Sequence, residues 1–355
     1  MALQTEQLAR LLAAEGATVE VLQTNAPYRP AWVGGMPGLR AIFRLLPYLL
    51  GLWRLAGRSD VLHLMANSGW SWHLCAAPAI WIAKWRGTPV VVNYRGGGAA
   101  DFLAGDPALV LHTLRSAARV IVPSAFLQQV FQRHGVVAEV VPNVVDLSRY
   151  TPACASVHAT LPAPHLIVTR NLELIYDNES AIRALALLRV RQPQAHLTLA
   201  GSGPELARLS TLVQDLNLVD AVHFAGRLDR AAMADLYRTA DVMWNPSRVD
   251  NSPNSVLEAM ACGVPVVSTN VGGVPFMLEH ERTGLLVEPA KPSALADAAL
   301  RLLVDDGLRQ RLVSQGREEV QRYTWALVAP LLKQAYVAAM SKEQAGGAAR
   351  QKERL

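Results

Sequence analysis

Residues 245–269 read NPSRVDNSPNSVLEAMACGVPVVST, a polar loop followed by an apolar run, a glycine and a second apolar run. Asn254 or Ser255 can cap a helix through residues 257–260, because both side chains accept hydrogen bonds from free backbone N–H groups. Gly263 ends that helix, and residues 264–268 fit a short buried strand. A helix that begins in uncharged polar residues offers its first N–H groups to an anion, so the stretch predicts a phosphate site.

Two acids give this stretch further chemistry. Asp250 precedes the predicted helix, and Glu258 lies about one turn inside it. A carboxylate repels a phosphate but accepts hydrogen bonds from the hydroxyls of a sugar or ribose beside one. For either acid alone the simpler interpretation is a surface carboxylate, which the helix dipole favours near a helix start.

The pattern around both acids resembles the signature of the retaining glycosyltransferases of family 4, also called group 1. In that signature an acid, seven residues and Glu precede Ala-x-Ala-x-Gly-x-Pro-Val-Val, matched here by Asp250, Glu258, Ala259, Ala261, Gly263, Pro265, Val266 and Val267. Asp250 is one carbon shorter than the usual Glu. The resemblance implies an α/β protein of the GT-B fold, with two doubly wound Rossmann-like domains facing a central cleft. It also implies a retaining hexosyltransferase that needs no metal or other cofactor and uses a nucleotide-sugar, with UDP- or GDP-sugar expected.

Composition supports two globular domains and excludes several other classes. The chain has 355 residues, 51% of them hydrophobic and 18% charged, which argues against disorder. Three scattered cysteines support neither a disulfide framework nor a zinc site. The net charge of +5 comes without a basic run interleaved with aromatic residues, so nucleic acid is not an expected partner. The N-terminus lacks the features of a signal peptide, and we expect a cytoplasmic protein at the inner face of the cell membrane.

The alternation of strands and helices predicts how the chain divides. We expect a first domain over residues 1–155, a second domain over 156–325, a helix over 326–341 and a disordered tail over 342–355. The resemblance implies that the first domain is the acceptor side, that the second binds the nucleotide-sugar, and that the helix crosses back to the first domain. The first domain begins with a helix over residues 3–15 and a strand over 19–23. Relatives usually begin with a strand and a Gly-rich loop, so we expect either a truncated chain or a start assigned too far downstream.

The first domain carries the candidate acceptor residues. His63 lies near the end of a predicted strand, where ligands gather in parallel sheets. Arg95, Gly96 and Gly97 follow a buried strand, and glycines there let the backbone approach a ligand. In much of the family a His occupies about the place of Arg95, so the resemblance implies a catalytic role for Arg95; the alternative is an ordinary loop arginine.

The second domain carries the candidate donor residues, and their roles are implied by the resemblance. Arg170 and the backbone N–H groups of Asn254, Ser255 and Val256 would hold the diphosphate, while Glu258 would bind the ribose. Asp250 would orient the donor sugar and, with Glu258, take part in catalysis. The remaining candidates are Gly201, Gly203 and Arg227 around the nucleotide and Gly272 and Gly273 around the sugar.

Two further positions depart from the family pattern within this site. Tyr176 stands where relatives usually have a Lys, so one positive charge is missing from the expected diphosphate site. Phe276 stands where a Glu often follows the Pro of the Gly-Gly-x-Pro loop. The first departure allows two outcomes, another arginine in the place of the Lys or weaker donor binding.

Residues 39–58 predict a basic amphipathic helix, with leucines and aromatic residues on one side and spaced arginines on the other. Such a helix can lie on an anionic membrane, or it can pack on the sheet with its arginines in water. The resemblance favours membrane contact, because many relatives act on glycan or lipid-linked acceptors in bacterial surface polysaccharide or glycolipid synthesis.

Three other functions remain open at this point. The departures at Tyr176 and Phe276 fit a catalytically impaired partner in a polysaccharide assembly complex. A nucleotide-sugar epimerase with the same fold and a simple nucleotide-binding module are the others. No residue indicates the oligomeric state.

Overall fold

The computed structural model describes residues 2–24, 36, 39–105, 107–153 and 163–352. The chain forms two compact units: a first unit of Met1–Pro142 with Ala329–Leu355, and a second unit of Asn143–Val328. The predicted boundary near residue 155 falls in a stretch, 154–162, that lies outside the described residues. Residues 143–153, which the sequence assigns to the first domain, belong instead to the second unit. They do so because Asn143 bonds to Ser252 and Asn254, and the N–H of Val145 donates to the carbonyl of Tyr323 at 2.9 Å.

The first unit contains a parallel sheet whose four described strands follow chain order. The strand β2 reads VVVNY and is buried along its whole length, as expected for a parallel strand covered on both faces. The described strands wind in one direction only, so they show no reversal of the kind that a doubly wound sheet has. The strands are β1 (Leu62–Ala66), β2 (Val90–Tyr94), β3 (Arg119–Val122) and β4 (Glu139–Val140). The helices are α1 (Ala2–Ala14), α2 (Leu39–Ala56), α3 (Ala77–Trp85), α4 (Ala99–Gly105), α5 (Pro107–Ser116) and α6 (Ala125–Arg133).

The predicted strand over residues 19–23 is wrong, because these residues have no regular structure. Leu22 packs into the first-unit core beside Gly51 of α2, and Glu20 pairs with Arg58 just after α2 at 2.5 Å. Val19 and Val21, which would be buried in a strand of a covered sheet, are exposed. The segment therefore crosses α2 and gains its contacts there.

The second unit contains a six-stranded parallel sheet in the order β10-β9-β8-β5-β6-β7. The first strand of this unit, β5, lies beside the fourth, β8, so the chain reverses its winding direction between them. This is the order of a doubly wound Rossmann sheet, in which ligands bind at the carboxyl ends of the strands beside the reversal. The strands are β5 (His165–Val168), β6 (His196–Ala200), β7 (Val222–Gly226), β8 (Val242–Asn245), β9 (Val266–Thr269) and β10 (Leu285–Val287).

Alternate residues of the second sheet enter two separate cores. Leu166 and Val168 of β5 pack with Leu185 and Leu302 of the helices on one face, whereas Ile167 packs with the opposite core. The described helices beside the sheet are α7 (Asn178–Leu188), α8 (Leu206–Asp215), α9 (Arg230–Arg238), α10 (Asn254–Ala261), α11 (Pro292–Val304) and α12 (Asp306–Glu319).

A final helix, α13 (Trp325–Lys352), begins in the second unit and continues into the first. Its Tyr336 bonds to His63 of β1, and its Lys333 pairs with Glu15 just after α1. The sequence predicts disorder from residue 342, but the helix runs through Lys352. Lys, Glu, Gln and Ala in this stretch are good helix formers, and extending an existing helix costs less than starting one, so two glycines do not end it.

The predicted helix and strand of the opening stretch are confirmed as α10 and β9, but Pro253, not Asn254 or Ser255, is the residue before the helix. Among the described residues, no helix combines the length and the apolar character needed to cross a membrane.

Candidate active site

Arg170 and Asp250 meet where the second sheet reverses direction. Arg170 follows β5 and Asp250 lies in the loop after β8, and an Nη atom of Arg170 lies 2.8 Å from a carboxylate oxygen of Asp250. The side chains are only 14% and 7% exposed. The backbone N–H of Asn251 donates to the same carboxylate at 3.0 Å. A cation and an acid are thus held together at the edge where a Rossmann sheet binds its ligand.

Tyr176 contributes to this site through its ring. The Cζ atom of Arg170 lies 4.1 Å from the centre of the Tyr176 ring, close enough for a cation–π contact. Burial raises the pKa of the Tyr176 hydroxyl, so the residue is neutral. The Nε–H of Arg170 is buried and has no hydrogen-bond acceptor among the described residues. The position that lacks the usual Lys thus supports the neighbouring Arg.

The start of α10 is fixed by a residue from the beginning of the second unit. The Nδ2 of Asn143 donates to the carbonyl of Ser252 at 2.9 Å and to Oδ1 of Asn254 at 2.6 Å. The N–H of Val256 donates to the carbonyl of Pro253 at 3.1 Å, so this N–H, predicted to bind phosphate, is used inside the first turn. The Oγ of Ser255 is buried, and the described residues offer it no partner.

Glu258 lies inside a cluster of tyrosines. The hydroxyl of Tyr237 donates to its carboxylate at 3.1 Å, and Tyr150 makes a second side-chain hydrogen bond to it. Desolvation nevertheless raises the pKa of Glu258 to about 7, outweighing the hydrogen bonds and the positive charges of Arg230 and Arg170. The carboxyl group therefore exchanges its proton near neutral pH.

Tyr150, Tyr237, Arg230 and Asn143 were not predicted as site residues. Tyr237 links three parts of the site, since its hydroxyl oxygen also lies 2.8 Å from Thr169 Oγ1, with which it shares a hydrogen bond, and 3.2 Å from the carbonyl oxygen of Ser255. Only Asn143 had a signal in the sequence, because it belongs to a loop that resembles the Pro-Asn-Gly-Val-Asp loop of the family. The other three approach Glu258 only through the fold.

The predicted glycines permit close approaches of backbone within the second unit. A Cβ atom at Gly273 would lie 1.8 Å from the carbonyl oxygen of Asn251, and the N–H of Gly273 donates to the carbonyl of Asp250 at 3.1 Å. Gly272 has φ of +51°. Cβ atoms at Gly201 and Gly203 would lie 2.2 Å from the carbonyl oxygens of Arg170 and Leu172. These glycines thus let the neighbouring loops lie against those that carry Arg170 and Asp250.

Two other positions singled out in the sequence are exposed and are not part of the buried Arg170–Asp250 contact. Arg227 is exposed and follows β7, two strands from β5 in the sheet order. Phe276, in the turn Val274–Phe276 after the paired glycines, is 47% exposed. Neither position is buried with the Arg170–Asp250 pair.

In the first unit, His63 lies in a chain of hydrogen bonds. The Nε–H of Arg95 donates to Oδ1 of Asn93 at 3.1 Å, so Nδ2 of Asn93 faces Nε2 of His63, at 3.1 Å, and donates to it. The proton of His63 is therefore on Nδ1, which donates to the hydroxyl of Tyr336 at 2.7 Å. Burial and the charge of Arg95 lower the pKa of His63 to about 3. Both ring nitrogens of this predicted acceptor residue serve contacts inside the first unit.

Arg95 extends the same chain to α1, since its Nη1 donates to Oε1 of Gln4 at 2.9 Å. Burial lowers its pKa to about 10, which leaves the guanidinium charged at neutral pH. Gly96 lies against the loop after β1, because a Cβ there would be 2.4 Å from Oδ1 of Asn67. Gly97 follows it, in the short turn before α4. In the part of the chain that the structure describes, no three His, Cys, Asp or Glu side chains form a group that would hold a metal ion.

Comparison with known families accounts for both units. The family model described as "Glycosyltransferase Family 4" matches residues 1–149, and the model described as "Glycosyl transferases group 1" matches residues 164–319. The chain belongs to the group 1 / family 4 glycosyltransferases. The second match spans Arg170, Asp250 and Glu258, the residues that the fold brings to the candidate donor site.

Several solved structures have the same fold as this family 4 chain. Sucrose-phosphate synthase from Thermosynechococcus elongatus is 24% identical, with a TM-score of 0.75 over 96% of this chain and 93% of that one. HepE from Anabaena, solved in complex with UDP-glucose, is 21% identical, with a TM-score of 0.69 over 83% of this chain and 82% of that one. These likenesses confirm the predicted GT-B fold.

Curated relatives match this family 4 chain over a shorter length. The N-acetyl-alpha-D-glucosaminyl L-malate synthase of Bacillus anthracis is 36% identical over 155 residues, which are 44% of this chain and 40% of the relative. The chain spans about half the length of the curated relatives it matches.

Proposed function

We propose that the chain transfers a sugar from a nucleotide-sugar to a hydroxyl group of an acceptor, with retention of the anomeric configuration. The observation that carries this proposal is the Arg170–Asp250 pair at 2.8 Å where the second sheet reverses direction. It unites a cation for a diphosphate with an acid for sugar hydroxyls, in the part of the chain that matches the group 1 family model. The carboxylate of Glu258, four residues into α10, accepts hydrogen bonds from the hydroxyls of the ribose.

In this mechanism the diphosphate lies at the start of α10. The N–H groups of Asn254 and Ser255 and the guanidinium of Arg170 hold it, while Asp250 and the loop at Gly272 and Gly273 orient the sugar. Negative charge grows on the diphosphate as the sugar leaves, so donors fixed in advance stabilise the transition state more than the ground state. The departing phosphate oxygen takes the proton of the attacking hydroxyl on the same face, which retains the configuration without a protein nucleophile or a bound metal.

The donor and acceptor classes are part of the proposal. A UDP- or GDP-sugar is the proposed donor, supported by the Anabaena protein of the same fold that was solved with UDP-glucose. The proposed acceptor is a glycan or a lipid-linked glycan of bacterial surface polysaccharide or glycolipid synthesis, bound to the first unit near Arg95, Gly96 and Gly97. Cytoplasmic location follows from the use of a nucleotide-sugar.

The test is a thermal-shift panel of UDP-, GDP- and ADP-sugars, since a ligand that binds only the folded state raises the melting temperature. We expect one nucleotide to raise it, and Arg170→Gln to abolish the shift. Release of the nucleotide on addition of acceptor, with the anomeric configuration of the product read by NMR, then tests transfer and retention. A protein that none of the donors stabilises would contradict the proposal, and one that binds a donor but never releases its nucleotide would be a non-catalytic relative.

We also propose that the first unit contacts an anionic membrane through α2 and α3. Large side chains of both helices face solvent, with Trp85 83% exposed, and the others are Phe43, Leu46, Leu50, Trp53 and Trp81. Cations stand over two of the rings: the guanidinium of Arg86 lies 4.9 Å from the Trp53 ring, and Nζ of Lys84 lies 5.1 Å from the Trp81 ring. Indole rings beside cations suit the head-group region of a bilayer.

Vesicle sedimentation tests this contact. We expect the protein to bind vesicles of phosphatidylcholine with phosphatidylglycerol, to bind pure phosphatidylcholine less, and to be released by salt. The double variant Trp53→Ser, Trp85→Ser should lose binding, whereas Leu187→Ala, an exposed apolar change in the second unit, should not. Equal sedimentation of the double variant would overturn the proposed surface.

A further inference from the structure

Tyr176 is joined to the Arg170–Asp250 pair by direct contact. Its ring lies 4.1 Å from the guanidinium carbon of Arg170, whose Nη2 lies 2.8 Å from Asp250. The guanidinium is therefore held on one face by a ring and at one edge by a carboxylate. The turn that carries Tyr176, Leu174–Tyr176, is attached to the loop of Asp250, because the N–H of Arg248 donates to the carbonyl of Ile175 at 2.8 Å.

An ion pair also joins the turn of Tyr176 to the loop of Asp250. Arg248 lies 3.1 Å from the carboxylate of Asp177, and Asp177 is only 2% exposed. Asp177 also has φ of +45°, a left-handed backbone that turns the chain directly after Tyr176 into α7. The position of the Tyr176 ring thus depends on a backbone that is fixed from both sides.

We propose that Tyr176 is a positioning residue for the donor diphosphate, which orients the guanidinium of Arg170 by stacking and takes the place of a second cation. This inference rests on the proposed function. Asp250 uses Nη2, and the ring restricts rotation of the guanidinium plane, so the remaining N–H groups keep a fixed direction. The Arg170 side chain keeps 14% of its surface exposed, and through that part its remaining N–H groups can meet phosphate oxygens.

The physical consequence is a diphosphate site with less charge and more order. A lysine at position 176 would attract the diphosphate as a mobile point charge, and its contribution would be screened by salt. A ring adds no charge to the site. Because it already restricts the Arg170 side chain in the free protein, Arg170 loses less conformational entropy when the diphosphate binds. Binding of the nucleotide diphosphate should therefore depend on the shape of residue 176 rather than on its hydroxyl.

The experiment is calorimetric titration of the full chain with UDP and GDP, and with uridine and guanosine, which lack the diphosphate. Four variants are compared with the unchanged protein: Tyr176→Phe, Tyr176→Ala, Tyr176→Lys and the control Leu174→Ala, an exposed residue of the same turn. We expect the dissociation constants of Tyr176→Phe and Leu174→Ala for UDP and GDP to stay within about twofold of those of the unchanged protein. Ala should weaken diphosphate binding about tenfold, the effect of losing a desolvated cation–π contact.

Three further readouts separate positioning from damage to the fold. The affinity for the nucleoside should be the same in Tyr176→Ala and in the unchanged protein, because the nucleoside does not reach Arg170. Tyr176→Lys should regain diphosphate affinity at low salt and lose it at high salt, whereas the unchanged protein should vary less. With donor and acceptor, Tyr176→Ala should lower kcat as well as raise the donor KM.

The outcomes distinguish this inference from the function on which it rests. Equal UDP affinity in Tyr176→Ala and the unchanged protein would overturn the positioning role alone, as would an equal loss of UDP and uridine binding. Failure of the unchanged protein to bind any of the nucleotides would overturn the proposed function and this inference with it.

Discussion

Glu258 holds a proton near neutral pH because its carboxyl group is desolvated between Tyr237, Tyr150 and the helix α10. The ionised carboxylate is the stronger acceptor for ribose hydroxyls, so we expect UDP-glucose to bind more tightly as the pH rises through about 7. Glu258→Gln should remove this pH dependence and weaken binding above that pH by about 1.5–3 kcal/mol. Calorimetry across this range is the measurement, with Glu318→Gln, an exposed acid, as control. An unchanged pH profile in Glu258→Gln would remove Glu258 from the nucleotide site.

Burial lowers the pKa of His63, whereas it raises the pKa of Glu258. Its pKa is about 3 in the folded chain, because burial and then Arg95 oppose its charge, while an unfolded chain has the ordinary value near 6.5. The unfolded state therefore binds the extra proton, and stability falls as the pH drops below about 6.5, by up to about 1.4 kcal/mol per pH unit. His63→Gln, which can still donate and accept, should show a shallower loss in denaturant unfolding at successive pH values. Parallel curves for the two proteins would show that His63 is not the group involved.

At this scale, a residue was predictable when its signal was local. Arg170, Asp250 and Glu258 belong to short patterns that keep their spacing, and the fold brings the first two into contact. Tyr237 and Tyr150 look like ordinary apolar-spaced tyrosines, and only the tertiary structure places them on Glu258. The contact between Arg170 and Tyr176 is of an intermediate kind: the sequence shows that a charge is missing but not what the ring does.

The loops at the carboxyl ends of β8 and β9 pack directly against each other at Gly273. A methyl group there would meet the carbonyl of Asn251 at 1.8 Å, so Gly273→Ala must push the two loops apart. We expect the variant to lose most donor binding and to lower the melting temperature. Gly307→Ala in α12 is the matched control, since its nearest atom would be 3.4 Å away and Ala favours a helix. Thermal melting and UDP titration of both variants are the measurements, and normal donor binding by Gly273→Ala would show that the loops separate without harm.

Elements were predictable where burial and periodicity agreed. The strand β2 and the helix α10 with its following strand were predicted from apolar runs bounded by glycine and proline. The segment at 19–23 has a strand-like composition, yet it finds its contacts on α2 and has no strand beside it. The tail from residue 342 contains two glycines, but the helix before it is already formed and its other residues favour continuation.

The first unit is completed by α13, whose Leu332, Ala335 and Ala339 are buried and whose Tyr336 bonds to His63. Ending the chain after Val328 should therefore destabilise the first unit by on the order of 5 kcal/mol, from lost apolar burial alone. Hydrogen exchange is the measurement: amides of β1, β2 and β3 should exchange faster, while those of β5, β6 and β8 should keep their protection. Ending the chain after Ser341 is the control and should change neither group. Uniform loss of protection in both units would contradict independent stabilisation.

The division of the whole molecule was predictable only in outline. Two sets of alternating strands and helices indicate two units, and a Pro- and Ser-containing stretch indicates the region between them. The boundary itself falls at Asn143 because that residue bonds to Ser252 and Asn254, which follow it by more than a hundred positions. Hydrogen bonds of this range leave no mark in local composition.

The second unit is one continuous stretch, whereas the first needs residues from both sides of it. During translation, all of Asn143–Val328 is synthesised before Tyr336, the hydrogen-bond partner of His63, which follows His63 by 273 positions. Domains usually mature in the order of their synthesis. For this chain we expect the reverse: the second unit has all of its residues before the first unit does, because the first unit is complete only when α13 has been made.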